Sequence, residues 1–306
     1  MTFLSLVAAL LADKAWPLRE GNRLRLGFNR YAAALEGAVN GGQYRHGVLA
    51  WALVVAPALA VTVAVQQLAD NFGWLPAMAW NVAVLYFTMG FRPSRRAFGD
   101  VERALRAGDL ATARDCLGKW RPGGAAALTG EEVARVAIEQ VLLSSHRLVF
   151  GTVAWFLVLG PAGAVLYRAC ALLAELWGTR SEPDLGAFGS FAARAYVWVD
   201  WIPARLTAAS FAAAGDFADA VYCWRAQAGT WTPRADGIIL ASGAGALGVR
   251  LGNTLHQDGN AQYRPELGTG DAVEMDHLPQ AIGLVWRALV LWVFVVLIVS
   301  IAHALG

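Results

Sequence analysis

Asp200, Pro203 and Arg205 interrupt an otherwise apolar run, "VDWIPARLT", from Val199 to Thr207. In a soluble core such an acid and base form an ion pair. Inside a membrane segment ionisable groups are costly and mark functional positions. The two lie five apart, off the i, i+4 spacing of a helical pair, with Pro203 between them. A local pair is one reading, and a helix break that brings both to a ligand is the other. Tyr167, Arg168 and Glu175 occupy a second apolar stretch. A third candidate is "SGAGALGVRLG", Ser242 to Gly252. Gly-rich turns offer backbone N–H groups to anions, and Arg250 adds a cation. The run lacks both the GK[ST] ending of a phosphate loop and the GxGxxG spacing of a dinucleotide fold. Close helix packing through small residues explains it equally. The five histidines include no HExxH pair, and the three cysteines no CxxC, so no metal site is expected. "SSHR" (Ser144 to Arg147) serves as polar capping or as chemistry. No Ser-His-Asp or paired-carboxylate arrangement stands out.

These residues need a scaffold, and composition points to a membrane. The chain is 57% hydrophobic and 16% charged, with a mean hydropathy of +0.44, whereas soluble domains carry about 25% charge. Thirteen Trp fit membrane interfaces. A net charge of +2 excludes the strong field of a nucleic-acid binder. Residues 1–12 resemble a signal peptide, but without a basic start or a clear cleavage site they read as a retained helix. Gly47 to Ala69 is long enough to span, and Trp74 to Gly90 completes a hairpin around the turn at residues 70–73. Ala288 to Ala304 is the clearest span. Leu148 to Trp177 is broken at Gly160-Pro161, so it is one kinked helix or two segments turning back, and periodicity leaves both open. Tyr196 to Ala214 is equally ambiguous.

The fold class expected is an all-α polytopic membrane protein with four or five spans and amphipathic cytoplasmic helices. Lys/Arg-rich residues 13–46 and 91–147 flank the same hairpin, which puts both on the cytoplasmic side of a bacterial-type inner membrane. Within 91–147, Gly108 ends one amphipathic helix and Asp109 caps the next. One domain over 1–306 is expected: helix and hairpin (1–90), amphipathic helices (91–147), central apolar segments (148–214), a Gly-rich polar region (215–283) and a last span (284–306).

Several runs carry a family likeness: "RALRAGDLATARDCL", "VARVAIEQ", "GPAGAVLYRACALLAELWG", "WVDWIPARLTA" and "GALGVRLG", in that order. From about Arg92 onward the chain resembles the adenosylcobinamide-phosphate synthase family (CobD/CbiB). The resemblance implies an integral membrane enzyme joining an aminopropanol phosphate arm to adenosylcobyric acid as an amide, with ATP and Mg²⁺. Departures fall on polar motifs. "EQVLLSSHRL" stands for an acidic, Asn-containing run and keeps Glu139. "ALLAEL" replaces an Asn-Thr-Leu-Asp run and leaves Glu175 as the nearby acid. "WTPRADG" replaces a His-x-Ser-Pro-Asn-x-Gly run and keeps Gly237. The N-terminal Gly-Asp-Pro and His-Pro elements are replaced by "ADKAWPLREG". A secondary resemblance, through "DWIP-x-RL" with a following Gly-Asp and Trp, is to AmpE-like membrane proteins, which implies non-enzymatic signalling as the alternative.

On this resemblance Glu139, Glu175 and Asp200 are the catalytic candidates. Tyr167, Arg168, Arg205, Gly245, Gly248, Arg250 and Gly252 are the substrate-binding ones, with Arg205 suited to phosphate or carboxylate. Charged groups within apolar segments gather on one interior cavity, and Glu139 is expected near its mouth. The plain alternative leaves Asp200 and Arg205 paired only with each other or with interfacial lipid. The expected partners are membrane lipid and a corrinoid substrate, with a homo-oligomer allowed and no nucleic acid.

Overall fold

Long apolar runs broken by glycine and short polar turns fold here as helices. The computed structural model describes residues 2–15, 23–121, 124–179, 186–257 and 260–305. Among them the only strands are two of three residues each. The all-α membrane class read from the sequence is the one observed. The chain divides into two compact units, Met1–Gly90 with Gly151–Pro203, and Phe91–Phe150 with Ala204–Gly306.

The first unit begins with α1 (Thr2–Ala15), α2 (Arg23–Val39), α3 (Tyr44–Asn71) and α4 (Trp74–Thr88). The α3–α4 hairpin turns at Phe72 and Gly73, where Gly73 holds φ 108°. Pro57 lies inside α3 without ending it, as neighbouring groups allow in membrane helices. Its core gathers Ala50, Val54, Trp177 and Phe188, with the Trp177 and Phe188 rings edge-to-face at 5.2 Å. Gly47 is needed there, because a Cβ would strike the Phe188 carbonyl.

The decisive element is α8 (Gly151–Leu173), which reverses at Gly160. That residue takes φ 62° and ψ −149°, open to glycine at little cost, and Pro161 follows without an N–H to donate. A Cβ at Gly163 would strike the Trp155 carbonyl, and one at Gly151 would strike the Tyr167 ring. Such approaches between residues 8 and 16 apart require the two arms to lie side by side. The "LGPAG" run is therefore a hairpin tip, and Leu157, Val158 and Leu159 are exposed beside it.

Three helical stretches are long and apolar enough to cross a membrane: Tyr44–Asn71, Gly130–Gly178 and His277–Ala302. The second, 49 residues long, would make a rod of about 74 Å at about 1.5 Å per residue, against a hydrocarbon core of about 30 Å. Its reversal removes that mismatch. Helix α4, with 15 residues, falls short of that length.

The second unit comprises α5 (Phe91–Arg106), α6 (Leu110–Trp120), α7 (Gly130–Ser145, followed by a π-helical turn at His146–Phe150), α10 (Phe217–Gln227), α11 (Arg234–Leu247) and α12 (His277–Leu305), with the short pair β1 (Leu255–Gln257) and β2 (Asn260–Gln262). Gly108, at φ 72°, ends the α5 segment, and the Asp109 side chain accepts from the Thr112 N–H to start α6. Helix α7 is buried nearly all round and opens with a Thr129/Glu132 capping box. In α11, Gly243 meets Leu142 and Gly245 meets the Asp219 and Ala220 backbone. Gly248 then closes the helix in the left-handed conformation.

Helix α9 (Ser190–Ala214) crosses the boundary between the units and contains Pro203. The expected break at Pro203 is absent: the chain stays helical through it. Missing one N–H is tolerable where other groups satisfy the freed carbonyl.

Candidate functional site

Each unit holds a polar centre in apolar surroundings. In the first, the return arm of α8 supplies Tyr167 and Arg168, and α9 supplies Tyr196 and Asp200 one turn apart. Asp200 is 1% exposed and Tyr167 fully buried. The Tyr167 hydroxyl donates to Asp200 Oδ1 at 2.9 Å and lies 3.4 Å from the Tyr196 hydroxyl. Gly151 is the reason the phenol fits, since no other residue leaves room for its ring. The Trp155 indole donates to the Val199 carbonyl at 2.9 Å, which ties the outgoing arm to α9 beside Asp200. Arg168 lies within electrostatic reach of Arg25, Glu175 and both tyrosines. Glu175 pairs with Arg25 at 3.2 Å, both well exposed, where an ion pair contributes little.

In the second unit one face of α7 presents Glu132, Arg135 and Glu139, at i, i+3 and i+7. All three hold the segment after α11. Glu139 receives the Arg264 guanidinium through both oxygens, at 2.6 and 3.0 Å, and the Gly252 N–H at 2.9 Å. Arg264 also donates to the carbonyls of Gly252 at 3.1 Å and Asn253 at 3.3 Å, and its guanidinium stacks 5.3 Å from the Trp231 ring centre. Arg135 donates to the Thr254 carbonyl at 2.9 Å. Glu132 accepts from His256 Nδ1 at 2.8 Å. Arg121, which ends α6, is within electrostatic reach of Glu139 and Arg264; burial holds its guanidinium below the ordinary range, with Arg264 adding to the effect and Glu139 opposing it.

Other candidates have separate surroundings within this unit. Arg205 lies near Arg234. Arg147 holds Asp236 by two bonds of 2.8 and 2.7 Å, and buried His146 meets Thr207 at 2.9 Å. His146 and Arg147 of "SSHR" thus have structural partners, and the Ser145 hydroxyl donates to the Leu142 carbonyl at 2.7 Å. Half-exposed Arg250 faces Glu266 at 3.8 Å. Gly245 and Gly248 lie at the end of α11. A groove of about 440 Å³ beside the start of α7 is lined by Glu131, Glu274 and Asp276, the wrong sign for an anion. Among the described residues no group of three or more His, Cys, Asp or Glu side chains could hold a metal. The three cysteines are free thiols.

Of the sequence candidates, Tyr167 and Asp200 touch, with Arg168 and Glu175 nearby in the same unit. Glu139 and Gly252 touch in the other. Sequence reading passed over Tyr196, Trp231, Arg264 and Arg121. The YxxxD spacing of Tyr196 and Asp200, and the Glu132–Arg135–Glu139 spacing on one helical face, were the available signals.

A family model described as CobD/Cbib protein matches residues 6–285. A protein named cobalamin biosynthesis protein CobD from Stutzerimonas stutzeri is 37% identical over 301 residues, covering 96% of this chain and 97% of the relative. Proteins of the same name from Chromobacterium violaceum and Mycobacterium tuberculosis are 38% and 30% identical, covering 80% and 84% of this chain and 77% and 82% of theirs. No solved structure matches.

Proposed function

The chain belongs to the CobD/CbiB family, and from that premise we propose that it acts in cobalamin biosynthesis as an adenosylcobinamide-phosphate synthase. It joins the amine of an aminopropanol phosphate arm to a carboxyl group of adenosylcobyric acid as an amide: ATP is split to ADP, and the carboxyl oxygen that the amine displaces leaves as part of the released phosphate. The observation that carries this reading is the 37% identity to a protein named for cobalamin biosynthesis over 96% of this chain. The buried polar centres supply chemistry consistent with it.

The attacking amine must lose a proton for an amide to form, and a positioned carboxylate can take it. Asp200 suits this role, as a buried carboxylate that accepts from a neutral phenol. Glu139 is held by a guanidinium and a backbone N–H, so its role is to position the Gly252 segment. Exposed Glu175 with Arg25 offers charge at the rim. In the same unit the cation Arg168 serves a phosphate or carboxylate group of the substrates. Without a cluster of metal ligands among the described residues, we assign no residue to Mg²⁺. That ion binds through one or two carboxylates and substrate phosphates, and in this reading it arrives with the nucleotide. The basic segments 13–46 and 91–147 face the cytoplasm of an inner membrane, so a cysteine placed at Asn71 is expected to label only from outside.

The test is complementation of a strain lacking the synthase, with cobinamide phosphate formation measured in membranes carrying the protein. Restored conversion is expected. An expressed and inserted protein that converts nothing overturns the reading in favour of the AmpE-like, non-enzymatic one.

A further inference from the structure

Helix α5 presents more positive charge than its own acids balance. Arg95, Arg96, Arg103 and Arg106 are exposed, while Phe98, Val101 and Leu105 are buried. Its acids are committed: Asp100 pairs with Arg103, and Glu102 with Arg106. Among the described residues no carboxylate pairs with Arg95 or Arg96. Arg95 instead lies over the Trp286 ring, 5.3 Å from its centre, which ties α5 to α12 within the second unit. Stacking uses the face of a guanidinium and leaves its in-plane N–H donors to a further partner. Trp286 also heads a stripe on α12. With Val290, Phe294 and Ile298 it follows i, i+4 spacing, and all four side chains are exposed. From Trp286 to the end of the apolar span at Ala302 the helix rises about 24 Å, close to a hydrocarbon core of about 30 Å. Arg287 is the only ionisable residue in that run. Trp286 therefore stands where the apolar surface begins, the level that Trp favours in a bilayer.

We propose that Arg95 and Trp286, with Arg96 and Arg287 next to them in the chain, bind the headgroup of an anionic phospholipid. One of its acyl chains lies along Val290, Phe294 and Ile298. A guanidinium presents paired donors matched to phosphate oxygens, and stacking on Trp286 already holds this one at the edge of the apolar stripe. A phospholipid joins the two requirements, since its phosphate is bound directly to the group that carries its apolar chains. The charge selects the anionic kind, because a zwitterionic headgroup brings a cation of its own. Soluble phosphate answers the arginines but leaves the stripe uncovered. A second copy of the chain, related by a two-fold axis along the membrane normal, covers the stripe but brings like charges to the same level. The site is independent of the synthase reading.

Native mass spectrometry of the full chain in detergent tests the site. The probes are phosphatidylglycerol and phosphatidylcholine with identical acyl chains, and soluble glycerol 3-phosphate as a competitor. Wild type is expected to prefer phosphatidylglycerol. A basic residue near an anionic surface contributes roughly fivefold in binding, so Arg95→Gln and Arg96→Gln are each expected to lower that preference by about this factor. Arg106→Gln, which removes a charge that Glu102 already balances, is expected to leave it unchanged. Phe294→Ala is expected to weaken both lipids alike. Equal binding of the two lipids to wild type overturns the site. Equal losses in Arg95→Gln and Arg106→Gln do so too, since overall charge is then what the lipid meets. Displacement of phosphatidylglycerol by glycerol 3-phosphate makes this a soluble-phosphate site and overturns the lipid. A lipid-free dimer that Phe294→Ala separates assigns the stripe to a second copy, with the same consequence. Arg95 is exposed, so its variant is expected to melt with wild type. If Arg95→Gln is not recovered folded, Trp286→Leu removes the stack and keeps the apolar surface. Its preference for phosphatidylglycerol must fall, and an unchanged preference overturns the site.

Discussion

Replacing Glu139 by Ala removes the centre that holds the Gly252 segment to α7. Glu139 and Arg264 side chains are 6% and 11% exposed, so solvent cannot replace the lost partner. Breaking a buried pair by deleting one member costs about 3–5 kcal/mol. The Gly252 N–H loses its acceptor as well, worth about 1–3 kcal/mol when a buried donor goes unmet. These costs overlap, and we expect a loss of about 4 kcal/mol. Glu139→Gln keeps an acceptor for Gly252 but leaves Arg264 and Arg121 uncompensated, so it falls between. Glu139→Leu combined with Arg264→Met removes both charges, and apolar replacement of a buried pair is often close to neutral. The double variant is therefore expected to be more stable than Glu139→Ala. The assay is thermal or denaturant unfolding of detergent-solubilised protein, with hydrogen exchange at the Gly252 amide as a local readout. A Glu139→Ala loss below about 1 kcal/mol, or additive effects in the double variant, would refute the reasoning, since either result means the pair behaves as an exposed one.

Tyr167→Phe removes the donor to Asp200 while keeping the ring against Gly151; it is expected to cost about 1–3 kcal/mol in unfolding and to lower kcat about tenfold with KM held, and unchanged kcat would detach Tyr167 from the chemistry. Gly163→Leu drives a side chain into the Trp155 carbonyl at the α8 reversal and is expected to cost about 3 kcal/mol or more; a monodisperse variant melting with wild type would mean that the two arms are not packed as described. The Asp109 carboxyl is held below its ordinary range, first by the Thr112 hydroxyl and then by the Thr112 N–H. Its stabilisation is therefore complete above the ordinary carboxylate pKa and fades as pH falls through the lower folded value. Asp109→Asn is expected to flatten that acid limb in unfolding curves, and an unchanged limb would exclude Asp109 as its source.

Helical class and local punctuation were legible from residues alone. Apolar length marked Tyr44–Asn71 and the last helix, and Gly108 followed by Asp109 marked the turn between α5 and α6, because such signals act within a few residues. Pro203 shows the limit of local reading. A proline predicts a break, yet α9 continues through it, since whether a freed carbonyl is satisfied depends on its surroundings. At Gly160-Pro161 a kink and a reversal carry the same apolar sequence on both sides. Packing of Gly151 on Tyr167 and of Gly163 on Trp155 selects the reversal, and that packing places Tyr167 beside Asp200. Glu139 and Arg264 lie 125 residues apart, with no pattern to join them. Their pairing follows from burying two opposite charges where water cannot serve either, a constraint that exists only once the chain has folded around them.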